Sequence, residues 1–431
     1  MLTKHSSLIG IGLLALASCS FVIRSLTDPK APVQRGLVET TAIGRPIRPF
    51  SEAGLQRKRR GWRWAPPVVA IDNSFSPHVI HLGSFHPGGG HRHLSALSSG
   101  GSGNASRVLF RFALITDSHL WPATASRRVF SDRSDAASIR DGLLISRSPE
   151  VYASLLRELS TFAAAGGSFA VHAGDSVCGG ATFGAPTEEY EAQLRALSAA
   201  ERSALGTWPI HHVAGNHDLH PSDGGLDLWQ RVLGNRSGAP RRDVAYRALA
   251  LAGWRLLLLD SSSDVEFDTD GHGRIGEEQL TWLEGQLELS ARLKEQVVLV
   301  THQLLVKPID RTGHVASWLM LPDDMIENAE DVLTLLRRYS HVKLALHGHV
   351  HANSLTVRNG IAFVSTASAT EYPMQWREVI VRPCDIELHT RSLHLPELLN
   401  RSARREAGRG EGRNMAKRGD AIDNHVILQT C

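Results

Sequence analysis

The stretch from Ile210 to Asp218, IHHVAGNHD, joins a short apolar run to the tetrapeptide Gly-Asn-His-Asp. An apolar run of this length, closed by a glycine, predicts a buried β-strand that ends near Ala214. The amide, imidazole and carboxylate groups that follow then lie where the chain leaves the strand. Because sites in layered α/β proteins gather on loops at the carboxyl ends of strands, the stretch predicts one part of a functional site.

Four other apolar runs end in the same way. The polar clusters that follow them are Asp117-Ser118-His119, Gly174-Asp175, Thr301-His302 and Gly348-His349-Val350-His351. One Asp-x-His pair is expected by chance in a chain with 22 histidines, and most such pairs are structural. Five clusters in this order, each after an apolar run, are far more specific than any one of them.

The region from about residue 106 to 395 has the pattern of a layered domain. Buried strands are predicted at Val108–Thr116, Phe169–Ala173, Ile210–Ala214, Trp254–Asp260, Val297–Thr301, Val342–Leu346 and Ile361–Ser365. Apolar residues at helical spacing fill the gaps at Val151–Phe162, Leu280–Leu287 and Val332–Tyr339. Ala252-Gly253 predicts a hairpin turn. Strands mixed with helices in this way predict an α/β domain with sheets at its centre.

The residue types in the five clusters suit a divalent metal ion. Carboxylate and amide oxygens and imidazole nitrogens bind hard or borderline ions such as Mn, Fe or Zn, and no thiolate is required. Because side chains alternate along an extended segment, Asp-x-His and His-x-His spacings place both side chains on one side. Each such pair can therefore bind one ion or lie across two.

The ordered set of clusters resembles the calcineurin-like metallophosphoesterase family over roughly residues 108–392. The segments Trp254–Asp260 and Glu278–Leu283 are most similar to its bacterial cyclic-nucleotide and glycerophosphodiester phosphodiesterases. The resemblance implies a four-layer α/β/β/α sandwich and a phosphodiesterase that uses a hydroxide bridging two divalent metal ions. A phosphomonoesterase or nucleotide pyrophosphatase on the same site is the alternative, and a catalytically dead scaffold or binding protein is a more remote one.

The resemblance also implies a role for each polar residue. The first metal ion would be bound by Asp117, His119, Asp175 and His351. The second would be bound by Asp175, Asn216, His302 and His349, with Asp175 bridging. His217 would be a non-ligand imidazole that steadies the phosphoryl oxygens or protonates the leaving alkoxide. Asp218 would either orient that imidazole or cap the loop.

Two stretches depart from the family or add to it. The run after Asp175, Ser176–Gly180, lacks the acidic or polar residues that many members carry there. Cys178 in this run either lies near the metal ions or is a buried small side chain. The insert Ala123–Ser148 is longer and more polar than a simple loop, and is either part of a substrate lid or a surface excursion.

Composition restricts the partners. The formal net charge of the 431 residues is only +3, so bulk charge gives no reason to expect specific nucleic-acid binding, and the expected partner is a small-molecule phosphoester. The basic residues cluster at the two ends, where solvated tails are the ordinary interpretation. Nothing in the sequence indicates the oligomeric state.

The ends of the chain are predicted to lie outside the domain. Residues 1–19 resemble an export signal that closes on the lipobox-like Leu16-Ala17-Ser18-Cys19, which predicts an exported lipoprotein or secreted protein; an uncleaved membrane anchor is the alternative. Residues 20–105 are predicted to be a low-complexity linker. Residues 106–395 are predicted to form the metallophosphoesterase domain, and residues 396–431 a basic disordered tail.

Overall fold

Two β-sheets lie at the centre of the fold. The computed structural model describes residues 77–82, 107–121, 144–179, 187–219, 225–234, 244–263, 271–309, 324–406 and 417–431. The first sheet contains β1 (His78–His81), β2 (Phe110–Ile115), β3 (Phe169–His172), β4 (Ile210–His212), β11 (Gln375–Val381), β12 (Asp385–Ser392) and β13 (His425–Gln429). Its order is β1-β13-β12-β11-β2-β3-β4. Strands β2, β3 and β4 run parallel, so their carboxyl ends share one edge.

The second sheet contains β5 (Arg247–Leu251), β6 (Trp254–Leu258), β7 (Gln296–Val300), β8 (Val342–His347), β9 (Ser354–Arg358) and β10 (Ile361–Ser365). Its order is β5-β6-β7-β8-β10-β9. Strands β6, β7, β8 and β10 are parallel, whereas β5 and β9 pair antiparallel at the two edges. The carboxyl ends of β7 and β8 therefore also lie side by side.

Helices cover the outer face of each sheet. They are α1 (Ser148–Ala164), α2 (Thr187–Leu205), α3 (Gly225–Val232), α4 (Glu277–Leu293), α5 (Ala329–Leu336), α6 (Pro396–Glu406) and α7 (Ala421–Asn424), with a 3-10 turn at Ile145–Arg147. Buried residues of α1, α2, α3 and α6 pack on the first sheet, and those of α4 and α5 pack on the second. Each helix turns an apolar face to a sheet, as its periodicity predicts.

A third apolar core lies between the sheets. It contains inward-facing residues of both, such as Leu114 and Val171 from the first sheet and Leu258 and Val298 from the second. The four layers are therefore helices, sheet, sheet and helices, which confirms the predicted α/β/β/α sandwich. All seven predicted strands, the three predicted helices and the predicted hairpin are present, with ends shifted by a few residues.

The predicted basic disordered tail at 396–431 is wrong for the described residues of that stretch. Helix α6 packs on the first core through Leu398, and β13 is inserted between β1 and β12. Val426 and Leu428 of β13 are fully buried, and Cys431 forms a disulfide with Cys384. The strand was missed because five residues with two inward apolar side chains give little periodicity, and its pairing partners lie far away in sequence.

The predicted linker over 20–105 is wrong at one short place. Residues His78–His81 form β1, which pairs parallel with β13 and buries Ile80. The predicted signal at 1–19 and most of the insert at 123–148 lie outside the described residues; of the insert, the end from Leu144 forms the 3-10 turn and begins α1. In the part of the chain that is described, no helix has the length and apolar character that a membrane crossing requires.

Candidate metal centre

The five polar clusters meet at the carboxyl ends of parallel strands from both sheets. Asp117 and His119 follow β2, Asp175 follows β3, and the other clusters follow β4, β7 and β8. Backbone hydrogen bonds join the first two loops, because the amide of Asp117 donates to Gly174 and that of His119 to Asp175. Each loop leaves its strand at the position that the sequence predicted, so the convergence follows from the parallel strand order.

One group of ligand atoms contains Asp117, His119 and His351. Oδ1 of Asp117 lies 3.3 Å from Nε2 of His351 and 3.8 Å from Nε2 of His119. The two Nε2 atoms are 3.1 Å apart. Two imidazole nitrogens and a carboxylate oxygen that face one another at this spacing match the donor set of a divalent ion.

A second group contains Asp175, His302 and His349. Oδ2 of Asp175 lies 3.2 Å from Nε2 of His302, and that nitrogen lies 3.2 Å from Nδ1 of His349. Nδ1 of His302 contacts the carbonyl of Ala173 at 2.8 Å. This bond assigns one ring proton to Nδ1, so Nε2 is the atom that faces the group and would bind metal once its own proton is displaced.

Asp175 joins the two groups. Its Oδ2 is 3.8 Å from Nε2 of His119, and a third group of ligand atoms consists of His119, Asp175 and His217. A carboxylate within reach of histidines from both groups is suited to bridge two ions.

Two oxygens, one from a carboxylate and one from an amide, are buried without a hydrogen-bond donor. Oδ2 of Asp117 accepts hydrogen bonds from Thr116 Oγ1 and from the amide of His349, whereas its Oδ1 is buried and receives no hydrogen bond. Oδ1 of Asn216 is likewise buried without a hydrogen-bond donor. Buried oxygens without a donor are costly, and a cation would satisfy both. The residues present therefore fit a divalent metal centre.

Burial lowers the pKa of two histidines of the centre, whereas neighbouring carboxylates raise the pKa of two others. Burial lowers the pKa of His119 and His349 to about 3, which keeps both rings neutral and able to bind metal. Burial also disfavours the charged form of His351, but Asp117 and Glu371 outweigh it and raise its pKa to about 10. Burial is similarly outweighed at His302, where Asp175 and Asp117 raise the pKa to about 9. A metal ion bound there would displace these protons.

Glycines allow the loops to approach each other. A β-carbon on Gly348 would lie 1.9 Å from Oγ1 of Thr116, and one on Gly215 would lie 2.3 Å from Oδ1 of Asp175. Neither position can accept a side chain without moving a ligand. The glycines in the Gly-Asn-His-Asp and Gly-His-x-His motifs are therefore required by the close packing of two loops.

Five non-glycine residues of the centre have left-handed backbone conformations. Their φ angles are 51° at Asp117, 40° at His119, 53° at Asp175, 69° at His349 and 54° at His351. Such conformations are uncommon outside glycine and concentrate at functional sites. The surrounding structure must hold these backbones, because intrinsic preference does not.

His217 lies beside the first ligand group. Its ring is half-buried and packs edge-on against that of His119, with centroids 4.9 Å apart. Nδ1 of His217 contacts the carbonyl of Cys178 at 2.8 Å, and the ring lies close to His119 and Asp175. The predicted orienting role of Asp218 is therefore filled by the Cys178 carbonyl.

Asp218 instead fastens the loops together. Its Oδ1 accepts hydrogen bonds from the amides of Ser176 and Val177, and its Oδ2 accepts one from the amide of Gly215. This is the capping role that the sequence left open, and a catalytic role for Asp218 remains a prediction. Cys178 is fully buried, and burial raises the pKa of its thiol, as expected for a small core side chain.

A buried polar network supports the loops of the first sheet. Oγ of Ser118 contacts Nε2 of His172 at 2.8 Å, and Oγ of Ser176 contacts Nδ1 of His212 at 3.1 Å. His212 in turn lies 3.1 Å from Oε1 of Glu201. The phenol of Tyr152 donates to the same oxygen at 2.7 Å. This inner network, made of these six residues, connects α1 and α2 to the residues directly after Asp117 and Asp175.

Two carboxylates that the sequence analysis missed lie behind the histidines after β8. Glu371 accepts a hydrogen bond from Nδ1 of His351, and Oδ1 of Asp324 lies 3.9 Å from Nε2 of His349. Carboxylates commonly orient metal-binding histidines in this way. Neither residue stands in a motif, so only the three-dimensional structure could reveal them.

Comparisons with known proteins agree with this geometry. Residues 110–353 match the calcineurin-like phosphoesterase family. A probable cyclic nucleotide phosphodiesterase of Psychrobacter arcticus is 27% identical over 161 residues, which cover 37% of this chain and 52% of that protein. The 3',5'-cyclic adenosine monophosphate phosphodiesterase CpdA of Escherichia coli K12 is 29% identical over 175 residues, or 39% of this chain and 53% of CpdA. The matches thus span about half the length of these curated relatives.

A dimetal phosphatase from Danio rerio has a similar fold. Its crystal structure superposes with a TM-score of 0.50 at 17% identity, covering 66% of this chain and 97% of that chain. The family match extends from β2 to Asn353 and contains all seven predicted metal ligands. The chain therefore belongs to the calcineurin-like phosphoesterase family.

Proposed function

We propose that this protein is a phosphodiesterase that depends on two divalent metal ions. The observation that carries the proposal is the position of Asp175. Its carboxylate is close enough to share a metal ion with His119 in one group and with His302 in the other. Two ions held by a shared carboxylate can bind both the attacking and the leaving oxygen of an in-line displacement.

The ions, when bound, would supply Lewis-acid activation of a water nucleophile and would neutralise charge on the phosphate. Asp117, His119, Asp175 and His351 would hold the first ion, and Asp175, Asn216, His302 and His349 the second. The unpaired oxygens of Asp117 and Asn216 support this assignment. Mn, Fe or Zn suits these nitrogen and oxygen donors.

His217 would act on the substrate. The contact of its Nδ1 with the Cys178 carbonyl orients the ring, and Nε2 would be the atom that meets a phosphate oxygen or the leaving alkoxide. It would stabilise charge or deliver a proton there as the ester bond breaks. The His217 ring is also close enough to His119 and Asp175 to share a metal ion with them. Metal content is therefore the measurement that separates an acid role from a ligand role.

A diester substrate is favoured over a monoester by the relatives. The Psychrobacter and Escherichia proteins are described as cyclic nucleotide phosphodiesterases. Those matches cover about half of each relative. A cyclic nucleotide is therefore the first substrate class to test.

The test uses the purified protein reconstituted with Mn, Fe or Zn. We expect two bound ions per chain, hydrolysis of bis-(p-nitrophenyl) phosphate and of a 3',5'-cyclic nucleotide, and slower hydrolysis of p-nitrophenyl phosphate. His217→Ala should lower kcat by about 10²- to 10⁴-fold with metal content unchanged. Failure to bind metal, together with no turnover of any of these esters after loading, would contradict the proposal. Faster monoester turnover would assign the phosphomonoesterase alternative.

We also propose that the protein is exported. The N-terminal pattern ending at Cys19 motivates this, and the Cys384–Cys431 disulfide supports an oxidising compartment. Mass spectrometry of the mature N-terminus distinguishes a lipidated Cys19 from a retained Met1. A retained Met1 without lipid would contradict cleavage.

A further inference from the structure

The last described segment of the chain docks onto the loop that carries two of the metal-binding histidines. We call residues 417–431 the C-terminal segment and residues 348–353, after β8, the β8 loop. The amide of Asn353 donates to the carbonyl of Lys417 at 2.9 Å, and its side-chain amide donates to the Arg418 carbonyl at 3.3 Å. Asn353 lies two residues after His351, so these bonds hold the end of the β8 loop.

The docking is close and specific. A β-carbon on Gly419 would lie 2.8 Å from the carbonyl oxygen of Asn353, and the φ angle of Gly419 is +67°. Only glycine fits this position without strain. Beyond it, β13 pairs with β12, and the disulfide from Cys431 to Cys384 ties the end of the segment to the first sheet. The C-terminal segment is therefore fixed on the carboxyl side of its contact with the β8 loop.

A single ion pair extends from this segment toward the metal centre. Lys417 is 8% exposed, and its ammonium contacts Oε1 of Glu371. The other carboxylate oxygen, Oε2, accepts the Nδ1 proton of His351. Nε2 of His351 then faces Oδ1 of Asp117 at 3.3 Å. The order of contacts is Lys417, Glu371, His351 and the first ligand group.

The role of the Lys417 ammonium follows from the burial of Glu371. Glu371 is 3% exposed, so a negative charge there needs a partner. Lys417 provides that partner from the side opposite His351. Without it, the carboxylate would be drawn toward water or toward other donors, and the His351 ring would lose the contact that fixes its rotation. The backbone of His351 has a left-handed φ of 54°, so its position depends on such contacts.

We propose that Lys417 is a positioning residue for the metal centre: it holds the Glu371 carboxylate against His351 and thereby keeps Nε2 of His351 directed at the first metal position. The proposal rests on the metal site of the proposed function. It adds a residue outside the matched region 110–353, supplied by the C-terminal segment.

The test measures metal affinity of the full-length protein by competition with a chelator, using Mn or Zn alone and no substrate. Lys417→Met should weaken binding of one of the two ions by about 10- to 100-fold. Lys417→Arg, which keeps the charge, should restore most of the affinity. Arg418→Met is the matched control, because it removes the adjacent positive charge of the same segment, and it should leave both affinities unchanged.

A double-variant cycle separates positioning from general stability. Because Lys417 acts through Glu371, the pair Lys417→Met and Glu371→Gln should weaken metal binding no more than Glu371→Gln alone. Thermal unfolding of the metal-free proteins reports any structural loss independently. If Lys417→Met does not fold, Lys417→Gln takes its place in the same cycle.

Three results would overturn the proposal. They are unchanged metal affinity in Lys417→Met, tighter binding in that variant, and losses that simply add in the double variant. Failure of the proposed function looks different, because the unaltered protein would then bind no metal or would bind two ions and hydrolyse no ester. Metal affinity can therefore support Lys417 as a positioning residue even if the preferred ester is not a diester.

Discussion

The two sides of the metal centre are held by different means. Asp117 and His119, after β2, are 0% and 2% exposed, and the inner network of Ser118, Ser176, His172, His212, Glu201 and Tyr152 lies behind them. His349 and His351, in the β8 loop, have side chains 11% and 16% exposed. They are backed by Asp324 and by Glu371 with its partner Lys417.

The two kinds of support predict different effects of substitution, one on the free energy of unfolding and the other on metal affinity. The inner network is part of the fold's core, so a change there should first lower the free energy of unfolding. The supports of the β8 loop contact the histidines His349 and His351 directly, so a change there should alter metal affinity. Each of the following predictions compares the two sides.

The largest effect is expected from the ligands themselves. Asp175 belongs to ligand groups on both sides, whereas His351 belongs to one. Asp175→Ala should therefore remove both ions and lower turnover by at least about 10²- to 10³-fold. His351→Ala should leave about one ion per chain. Elemental analysis of the two purified variants gives the stoichiometry. Retention of two ions by Asp175→Ala would refute the bridging role.

A smaller effect is expected from two matched carboxylates. Glu371→Gln, behind the β8 loop, should weaken metal binding by about 10- to 100-fold, and it should also destabilise the fold because buried Lys417 loses the charge of this partner. Glu201→Gln, in the inner network, should destabilise the protein by about 1–3 kcal/mol and change metal affinity only slightly. Chelator competition and denaturant unfolding measure the two quantities. If both variants lose affinity equally, the two sides are not supported differently.

The smallest effect is expected in the number of protons released when metal binds. Burial lowers the pKa of His351 and His302, but neighbouring carboxylates outweigh it and raise these values to about 10 and about 9, so both rings are protonated at neutral pH without metal. Burial lowers the pKa of His119 and His349 to about 3, so these rings carry no extra proton. Metal binding should therefore release protons from the first pair alone, and affinity should fall as pH falls.

Calorimetry in buffers with different ionisation enthalpies, at metal concentrations that fill both positions in every variant, measures that release. The variant His351→Ala should release about one proton fewer than the unaltered protein. The variant His349→Ala should change the number little. An equal reduction in both variants would show that the β8 loop histidines do not differ in protonation.

The sequence predicts the parts of the fold whose signals are local. The strands that precede the five clusters are continuous apolar runs, and the motifs at their ends contain every residue of the three candidate ligand groups. Strand β11 was missed because it carries Arg377 and Glu378 in its interior, which a buried strand rarely does. Arg377 is buried there because Thr366, Asn353 and other acceptors surround it, and these lie elsewhere in the chain.

The second layer of the site was also beyond sequence reasoning. Glu371 and Lys417 stand 20 and 66 residues after His351, with no fixed spacing that could connect them to a motif. Asp218 shows the opposite case, since its motif position suggested catalysis while its three amide donors assign it to loop structure. A motif indicates which residues gather, but the contacts decide what each one does.

The place of β13 between β1 and β12 constrains the order in which the first sheet assembles. His81 at the end of β1 and His425 at the start of β13 are 344 positions apart, and β1 has no other neighbour in the sheet. During synthesis β1 must therefore wait until nearly all of the described chain has emerged. Pairing across such a separation closes a very long loop and is slow. We infer that the outer edge of this sheet is the last part to join, after the strands that carry Asp117 and Asp175 have already paired.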